Sequence, residues 1–286
     1  MTQLFATSRP FSWINTAYPF AAAYLLAGGR DWVFFTVLTV FFLIPYNLAM
    51  YGINDVFDYE SDLRNPRKTG MEGIVLDRSM HRTTLVATVV TCTPFIVYTL
   101  AVTSWPARVV FLTSCFAVVA YSVVGLRFKE RPFLDSVTSS YHFVSPALFG
   151  VVAVGAPLTG VTGWVLAAFF AWGMASHAFG AIQDVHADRE AGIGSIATVV
   201  GARVTARFTV MLYVVSAVCL LASGQGAVMV CAVVPLLYVA STVQYWSVDD
   251  AHATVTRRGW RRFMWLNLLS GFIITQVILV NAFVVS

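Results

Sequence analysis

Three aspartates in one short segment have the spacing of groups that share an ion. Asp55, Asp58 and Asp62 lie in the segment NDVFDYESD, which begins at Asn54. If a helix runs through this segment, the acids lie at i, i+3 and i+7 and share one face. Carboxylates this close repel one another unless a cation lies between them. The spacing therefore predicts a cation site formed by Asn54 and the three aspartates.

A second acidic pair occurs in the segment DVHAD, where Asp184 and Asp188 are one helical turn apart. Hard oxygen ligands at this density suit Mg²⁺, which binds one or two carboxylates together with substrate phosphates. We therefore interpret both segments as Mg²⁺ ligands around a diphosphate, and we predict a direct catalytic role for Asp55, Asp58 and this pair. His186, between the two acids, is a candidate base or hydrogen-bond donor.

Basic residues occur near both acidic motifs. A diphosphate gains negative charge as its bond to carbon breaks, and cations held in place by the protein stabilise that charge. We predict that five residues bind the substrate in this way: Arg67, Lys68, Arg127, Lys129 and Arg189. The cluster at 257–262, RRGWRR, is more typical of an anchor at the membrane interface.

The composition excludes a water-soluble domain. The 286 residues are 58% hydrophobic and only 11% charged, with a mean hydropathy of +0.74, whereas soluble domains carry about 25% charged residues. Apolar stretches of about 20 residues, the length that crosses a bilayer, recur along the chain. They predict nine membrane helices at 11–28, 32–53, 84–103, 106–126, 134–155, 160–182, 207–223, 226–246 and 263–285.

The distribution of charge predicts the orientation. With nine spans, the N-terminus and the four long polar loops lie on one side, together with 16 of the 18 Lys and Arg residues. The positive-inside rule places that side in the cytoplasm. We therefore predict one all-α domain over residues 1–286, crossing the cell membrane several times, with cytoplasmic active-site loops. The net charge of +4 arises in these loops and implies no nucleic-acid partner.

Both motifs resemble those of a known family. NDVFDYESD is similar to the NDxxDxxxD motif of UbiA-type intramembrane prenyltransferases, with Asn54, Asp55, Asp58 and Asp62 at every defined position. DVHAD resembles the second motif, DxxxD, and the likeness covers the whole chain. It implies nine transmembrane helices around a central cavity that opens sideways to lipid, with the diphosphate site beneath cytoplasmic loops.

A finer likeness concerns the acceptor. The stretches 51–68 and 182–201 resemble the lycopene elongase branch, above all in ADREAG and the following Ile-Ala-Thr. This resemblance implies that dimethylallyl diphosphate and lycopene are the substrates, within membrane lipid, and that C50 carotenoids are the products. Carotenoid cyclase subunits are further candidate partners. An allylic cation would form, and the cation left after its transfer would lose a proton or capture water.

Aromatic residues inside the spans are candidates to stabilise such a cation, by roughly 0.5–2 kcal/mol each. We single out Tyr121 as catalytic and His142 as substrate-binding, because both lie close in sequence to the short basic loop 127–133. Most other aromatic residues are expected to pack against lipid or other helices.

Alternatives stay open at this point. Within the family, the acceptor could be an aromatic quinone precursor or a lipid alcohol, although Arg67-Lys68-Thr69 replaces the Arg-Pro-Leu element of many aromatic-acceptor members. A membrane cation transporter would also carry intramembrane acids, but it is expected to place them near the middle of the bilayer. A non-catalytic membrane scaffold would have no need for two intact acidic motifs.

Overall fold

The chain is almost entirely helical and divides into two compact units. The computed structural model describes residues 2–63, 69–70 and 73–285. Unit 1 comprises Met1–Phe128 and Tyr141–Pro157, and unit 2 comprises Lys129–Ser140 and Leu158–Ser286.

The described residues of unit 1 form seven helices and most of an eighth. They are α1 (Thr2–Thr7), α2 (Ile14–Leu26), α3 (Trp32–Leu43), α4 (Pro45–Phe57), α5 (Tyr59–Asp62), α6 (His81–Val102), α7 (Trp105–Ser122) and, from Tyr141 onward, α8 (Leu134–Ala153). Two antiparallel strands of two residues each, β1 (Thr69–Gly70) and β2 (Gly73–Ile74), follow α5. Short 3₁₀ turns occur at Pro10–Ser12 and Arg78–Met80, and a third, Phe128–Glu130, begins at Phe128 and continues into unit 2.

Unit 2 contains the start of α8, residues 134–140, and the remaining helices. They are α9 (Val161–Ile182), α10 (Val185–Glu190), α11 (Ile196–Ala222), α12 (Gly226–Val230), α13 (Val233–Thr242) and α14 (Arg257–Val280). The 3₁₀ segments Val243–Tyr245 and Asp250–Thr256 connect α13 to α14, and a π-helical turn, Asn281–Val285, follows α14.

At least one helix overlaps each of the nine predicted spans, but the count of nine is not confirmed. In the described part of the chain, seven helical stretches are long and apolar enough to cross a membrane: Trp32–Phe57, Arg78–Val102, Trp105–Ser122, Val161–Ile182, Ile196–Ala222, Gly226–Tyr245 and Asp250–Phe283. Helix α2 has only 13 residues, or about 20 Å of length. Helix α8 is less apolar because Asp135, His142 and several serines interrupt it.

The core of unit 1 is a cluster of aromatic rings. Phe20, Phe42, Phe111 and Phe149 have no exposed surface and contact one another at ring-centroid distances of 5.2–6.4 Å. Gly150 allows α8 to approach α2, because a Cβ there would lie 2.9 Å from the carbonyl oxygen of Phe20. Such bulky rings give the unit a close-packed interior that holds the ends of its helices in place.

In unit 2, small residues bring α9 and α11 together. Ala168, Ala175 and Ala206 are at most 2% exposed, and Ser216 donates a hydrogen bond of 2.8 Å from α11 to the carbonyl oxygen of Ala168 on α9. Small side chains and interhelical hydroxyl bonds of this kind are typical of helix packing in membranes.

The start of α11 differs from the predicted boundary at residue 207. The helix begins at Ile196 and is interrupted at Gly201, which has φ 82° and ψ 161°. Only glycine adopts this conformation without strain. The kink separates a short N-terminal turn from the long apolar helix. The prediction from hydropathy located only the long apolar helix that follows the kink.

Candidate functional site

The first acidic motif lies at the end of α4 and in α5. Asp55 belongs to α4, Asp58 is its C-terminal cap with φ −102° and ψ 3°, and Asp62 ends α5. The backbone thus departs from the helix at Asp58, and a single unbroken helix does not run through the whole segment. The hydrogen bonds from the Asp58 amide to Asn54 and from the Asp62 amide to Asp58 nevertheless continue at 2.9 and 2.8 Å, so the turn-by-turn spacing is retained.

Two carboxylates of this motif are buried. Asp55 has no exposed surface and Asp62 is 5% exposed, whereas Asp58 is half-buried. Burying an ionised carboxylate costs several kcal/mol unless charge or hydrogen bonds compensate for it. The motif therefore needs positive charge close to it.

Arg9 supplies one such charge, and the sequence reasoning counted it only as a marker of orientation. Its Nη2 lies 3.1 Å from Oδ1 of Asp55, and its guanidinium lies 4.2 Å from the ring centroid of Tyr51. Arg9 also has a left-handed backbone, with φ 50°. A strained backbone that orients a cation toward a buried acid is a feature of functional sites. The signal in the sequence was a lone cation immediately before the first span.

Arg127 and Ser122 hold the end of α4. Nη2 of Arg127 donates to the carbonyl oxygen of Phe57 at 3.2 Å, and the Ser122 hydroxyl donates to Oδ1 of Asn54 at 3.0 Å. A cation at a helix C-terminus is favourable for the helix dipole. The structure thus places Arg127 beside the first motif, while its role toward a substrate stays a prediction.

Tyr121 and His142 contact each other within unit 1. Their rings meet edge to face at 5.1 Å, and His142 is only 2% exposed. Tyr46 donates a hydrogen bond of 3.3 Å to the carbonyl oxygen of His142. Pro146, one turn later, carries no amide hydrogen and cannot supply the usual helical bond to that oxygen. The sequence reasoning singled out this pair but not the supporting Tyr46.

The second motif begins at the N-cap of α10. Asp184 occupies the cap, and the Asp188 amide donates to its carbonyl oxygen at 2.9 Å, so the predicted i, i+4 relationship is present. Both acids are half-buried. Their side chains therefore share one side of a short helix, as the spacing required.

Arg189 does not lie free beside these acids. Its Nη1 lies 2.6 Å from Oδ2 of Asp250, and its Nε and Nη2 donate to the carbonyl oxygen of Thr198 at 3.2 and 3.0 Å. His186 donates from Nε2 to the backbone carbonyl of Asp250 at 2.6 Å. The histidine is thus a hydrogen-bond donor to Asp250, and the substrate-binding role of Arg189 stays a prediction.

A further buried acid, Asp135, was not among the site residues predicted from the sequence. It has no exposed surface and accepts hydrogen bonds from the Ser136 amide at 2.6 Å and from the Ile196 amide, the first residue of α11, at 2.8 Å. The Ser136 hydroxyl lies 3.1 Å from Nδ1 of His177, which lies two turns before Asp184 on α9. Nothing in local sequence pairs Asp135 with residue 196.

The other predicted basic residues have separate outcomes. Arg67 and Lys68 lie outside the described residues, so their proposed role stays a prediction. Lys129, the first residue of unit 2, lies half-buried in the turn Phe128–Glu130.

The first motif has the chemistry of a divalent-cation site. Its donors are carboxylate and amide oxygens, and Asp55 and Asp62 are buried where a cation would offset the cost of desolvation. Within the described ranges, no group of three or more His, Cys, Asp or Glu side chains lies close enough together to hold a metal ion. Mg²⁺ does not require such a group, because it usually binds one or two carboxylates and completes its shell with water and phosphate oxygens. Asn54, Asp55, Asp58 and Asp62, and separately Asp184 and Asp188, therefore fit this ion.

Curated relatives resemble nearly the whole chain. It is 54% identical over 279 residues to the C(50) beta-cyclic carotenoids biosynthesis protein LbtBC of Dietzia sp., a match that covers 98% of this chain and 65% of that protein. It is 50% identical to the lycopene elongase/hydratase of Corynebacterium glutamicum, covering 96% and 95% of the two chains. The lycopene elongase/hydratase of Halobacterium salinarum is 34% identical over 70% of this chain and 71% of its own length.

Solved structures show the same fold at low sequence identity. The apo structure of a UbiA homolog from Aeropyrum pernix matches with TM-score 0.72 and 18% identity over 94% of this chain and 97% of that one. A UbiA homolog from Archaeoglobus fulgidus, bound to DMAPP and Mg²⁺, matches with TM-score 0.69 and 14% identity over 96% and 99%. The UbiA prenyltransferase family matches residues 16–281. This chain therefore belongs to the UbiA prenyltransferase family, and it is a multi-pass membrane prenyltransferase.

Proposed function

We propose that this prenyltransferase transfers a dimethylallyl group from dimethylallyl diphosphate to the ends of lycopene, in a reaction that depends on Mg²⁺. The observation that carries the proposal is the full set of motif acids, two of them buried, in a chain 50% identical to a lycopene elongase/hydratase. The Archaeoglobus homolog was solved with DMAPP and Mg²⁺ bound to it, which supports the same donor and ion here.

In this mechanism the chain's own residues bind and orient the donor. Asn54, Asp55, Asp58 and Asp62 would offer oxygen ligands in the first motif, and Asp184 and Asp188 would offer them in the second. When bound, Mg²⁺ would neutralise the negative charge that develops on the diphosphate as the carbon–oxygen bond breaks. Departure of the diphosphate with the bonding electron pair leaves an allylic cation.

The remaining residues act on the organic part of the reaction. Tyr121, supported by its edge-to-face contact with His142, would offer an electron-rich face to the cation. A terminal double bond of lycopene then supplies two electrons to form the new carbon–carbon bond. The resulting tertiary cation ends the reaction by losing a proton or by gaining water and releasing a proton.

Purified protein in detergent or in liposomes tests this proposal. With dimethylallyl diphosphate, lycopene and Mg²⁺, diphosphate should be released and lycopene should become heavier by one or two C5 units, as measured by mass spectrometry. Chelation of the metal should stop both processes. If lycopene stays unchanged while an aromatic acid or a lipid alcohol is prenylated, the acceptor is wrong, and if ions flow without diphosphate release, the enzyme assignment of the acidic motifs is wrong.

We also propose that the motif loops and the N-terminus face the cytoplasm of a cell membrane, and that residues 1–286 act as one domain. The asymmetry of Lys and Arg supports this orientation. Cysteines introduced at Arg262 and Arg30 test it, because only the second should react with an impermeant thiol reagent from outside the cell. Association with carotenoid cyclase subunits stays a prediction, and copurification from a C50-producing host tests it.

A further inference from the structure

Asp250, in the 3₁₀ segment before α14, contacts the second motif and the kinked start of α11 at once. Its Oδ2 accepts a hydrogen bond from Nη1 of Arg189, its Oδ1 accepts one from the amide of Ala202, and its backbone carbonyl accepts one from Nε2 of His186. All three distances are 2.6 Å. One residue therefore joins three parts of unit 2.

The two partners of Asp250 in α10 lie on the side of the helix opposite the acids. Each helical residue turns by about 100°, so His186 and Arg189 point away from Asp184 and Asp188. Burial agrees with this geometry, since the histidine and arginine are exposed and the two acids are half-buried. Helix α10 therefore presents its acids on one side and is held from the other.

A helix of this length needs support from outside. It has six residues, whereas isolated helices shorter than about 12–15 residues are marginal in water. Its two acids are like charges at i, i+4, which is destabilising for a helix. The contacts of Arg189 with Asp250 and with the carbonyl oxygen of Thr198 supply cross-links that the helix itself lacks.

The kink at Gly201 brings Asp250 into this position. Because Gly201 is not helical, Ala202 begins a new helical run, and the first amides of a helix need partners from outside it. Oδ1 of Asp250 accepts that amide, and a Cβ on Gly201 would lie 3.3 Å from the same oxygen. The carboxylate thus caps the long part of α11 with one oxygen and holds Arg189 with the other.

We propose that Asp250 is a positioning residue of the prenyl-transfer site. By holding Arg189 and His186 from behind, it orients Asp184 and Asp188 toward the divalent cation and the diphosphate. Arg189 is thereby assigned to the support of the motif, not to the substrate. This inference rests on the proposed function, because it gives the second motif the task of binding the metal.

Three variants and one control separate the contacts. Asp250→Asn keeps an oxygen for the Ala202 amide but removes the charge that pairs with Arg189. Arg189→Gln removes the same ion pair from the other side, and His186→Ala removes the contact with the backbone of Asp250. Asp249→Asn is the control. Asp249 is a neighbouring exposed acid that pairs with His252 and not with a residue of α10. Hydrogen bonds from His252 lower the pKa of Asp249.

The first measurement is hydrogen–deuterium exchange in the absence of metal and substrate. We expect faster exchange of the amides of residues 185–192 in all three variants, with no change in the control. The second is the Mg²⁺ concentration that gives half-maximal diphosphate release. We expect it to rise about tenfold or more, as when residues that orient metal ligands are lost, with a smaller change in kcat at saturating Mg²⁺.

The double variant Arg189→Gln, Asp250→Asn decides the role of Arg189. If Arg189 and Asp250 form one support, the double variant should need no higher Mg²⁺ concentration for half-maximal diphosphate release than the more strongly affected single variant. The inference is overturned if exchange at 185–192 and the Mg²⁺ requirement match the wild type in Asp250→Asn. It is also overturned if Arg189→Gln raises the KM for dimethylallyl diphosphate by the same factor with and without Asp250→Asn.

Failure of the proposed function gives a different result. If the wild-type protein releases no diphosphate with Mg²⁺ and lycopene, the proposed function fails, and the exchange measurement still reports whether Asp250 holds α10. If Asp250→Asn does not yield folded protein, Arg189→Gln and His186→Ala decide the same question, because neither disturbs the cap on Ala202.

Discussion

The guanidinium of Arg9 lies 3.1 Å from the carboxylate of Asp55, and that carboxylate has no exposed surface. The two residues are 46 positions apart, one in the segment before α2 and the other in α4. Arg9 is itself 18% exposed and lies over the ring of Tyr51. The first motif therefore holds one of its acids against a cation of the protein itself.

Replacing Arg9 by alanine should destabilise the metal-free protein. Breaking a buried ion pair from one side costs about 3–5 kcal/mol, because the remaining charge has no compensation, and the partial exposure of Arg9 places the expected loss near the lower value. The measurement is thermal unfolding in detergent without divalent ions. Added Mg²⁺ should narrow the difference, since an ion bound to Asp55 would replace the lost charge.

The control for Arg9 is Arg30→Ala, which removes an exposed arginine whose Nη1 donates to the carbonyl oxygen of its neighbour Gly29. That variant should unfold like the wild type. Equal unfolding temperatures for Arg9→Ala and the wild type without divalent ions would show that the ion pair contributes nothing to stability.

Neutralising the motif acids should abolish transfer without unfolding the protein. Asp55→Asn, Asp58→Asn and Asp184→Asn keep the shape of each side chain but remove the charge that a divalent ion requires. Loss of a group that stabilises developing charge costs roughly 10²–10³ in kcat, so diphosphate release should fall at least that far. Asp31→Asn is the matched control, because Asp31 caps α3 and asparagine is an equally good cap. Near-normal turnover in two of the three variants contradicts the metal assignment.

The acidic motifs and the helices were predictable because their signals are local. Hydropathy over about 20 residues locates apolar helices, and helical spacing places Asp184 and Asp188 on one side of α10. The break at Asp58 was not predictable, because its backbone departs from the helix while the hydrogen bond to Asn54 continues. Local pattern reports which residues share a face, and it does not report small changes of backbone direction.

The supporting residues of the site were not predictable, because their contacts are distant in sequence. Asp250 lies 61 positions from Arg189, and Asp135 lies 61 positions from Ile196. Alone in the sequence, Asp250 is typical of a solvated loop charge, and Asp135 is the second residue of a predicted span, with no sign of its partner. Their roles depend on the kink at Gly201 and on the N-terminus of α11, which hydropathy does not mark.

Tyr46→Phe should destabilise unit 1 although it removes a single oxygen. The hydroxyl of Tyr46 is buried, lies 3.0 Å from the Ser114 hydroxyl and donates to the carbonyl oxygen of His142. Without it, the carbonyl of His142, which cannot receive an amide hydrogen from Pro146, has lost a buried donor, at a cost of about 1–3 kcal/mol. Unfolding by heat or denaturant measures the loss, and Tyr98→Phe, at a half-buried tyrosine of α6, should have a smaller effect. Equal losses in the two variants would contradict a special role for the Tyr46 hydroxyl.

Asp135→Asn should loosen the start of α11. One oxygen of Asp135 accepts from the amide and hydroxyl of Ser136, and the other accepts from the amide of Ile196, all in a fully buried site. Asparagine offers only one acceptor oxygen. One of these donors would then face the NH₂ group of the asparagine, which cannot accept a hydrogen bond, at a cost of about 1–3 kcal/mol. Hydrogen exchange at the amides of residues 196–198 should accelerate.

Asp77→Asn, at an exposed acid that caps the turn Arg78–Met80, is the control and should leave exchange at α11 unchanged. If Asp135→Asn leaves these amides as protected as in the wild type, the capping Ser195 alone holds the helix start, and the buried carboxylate has another purpose.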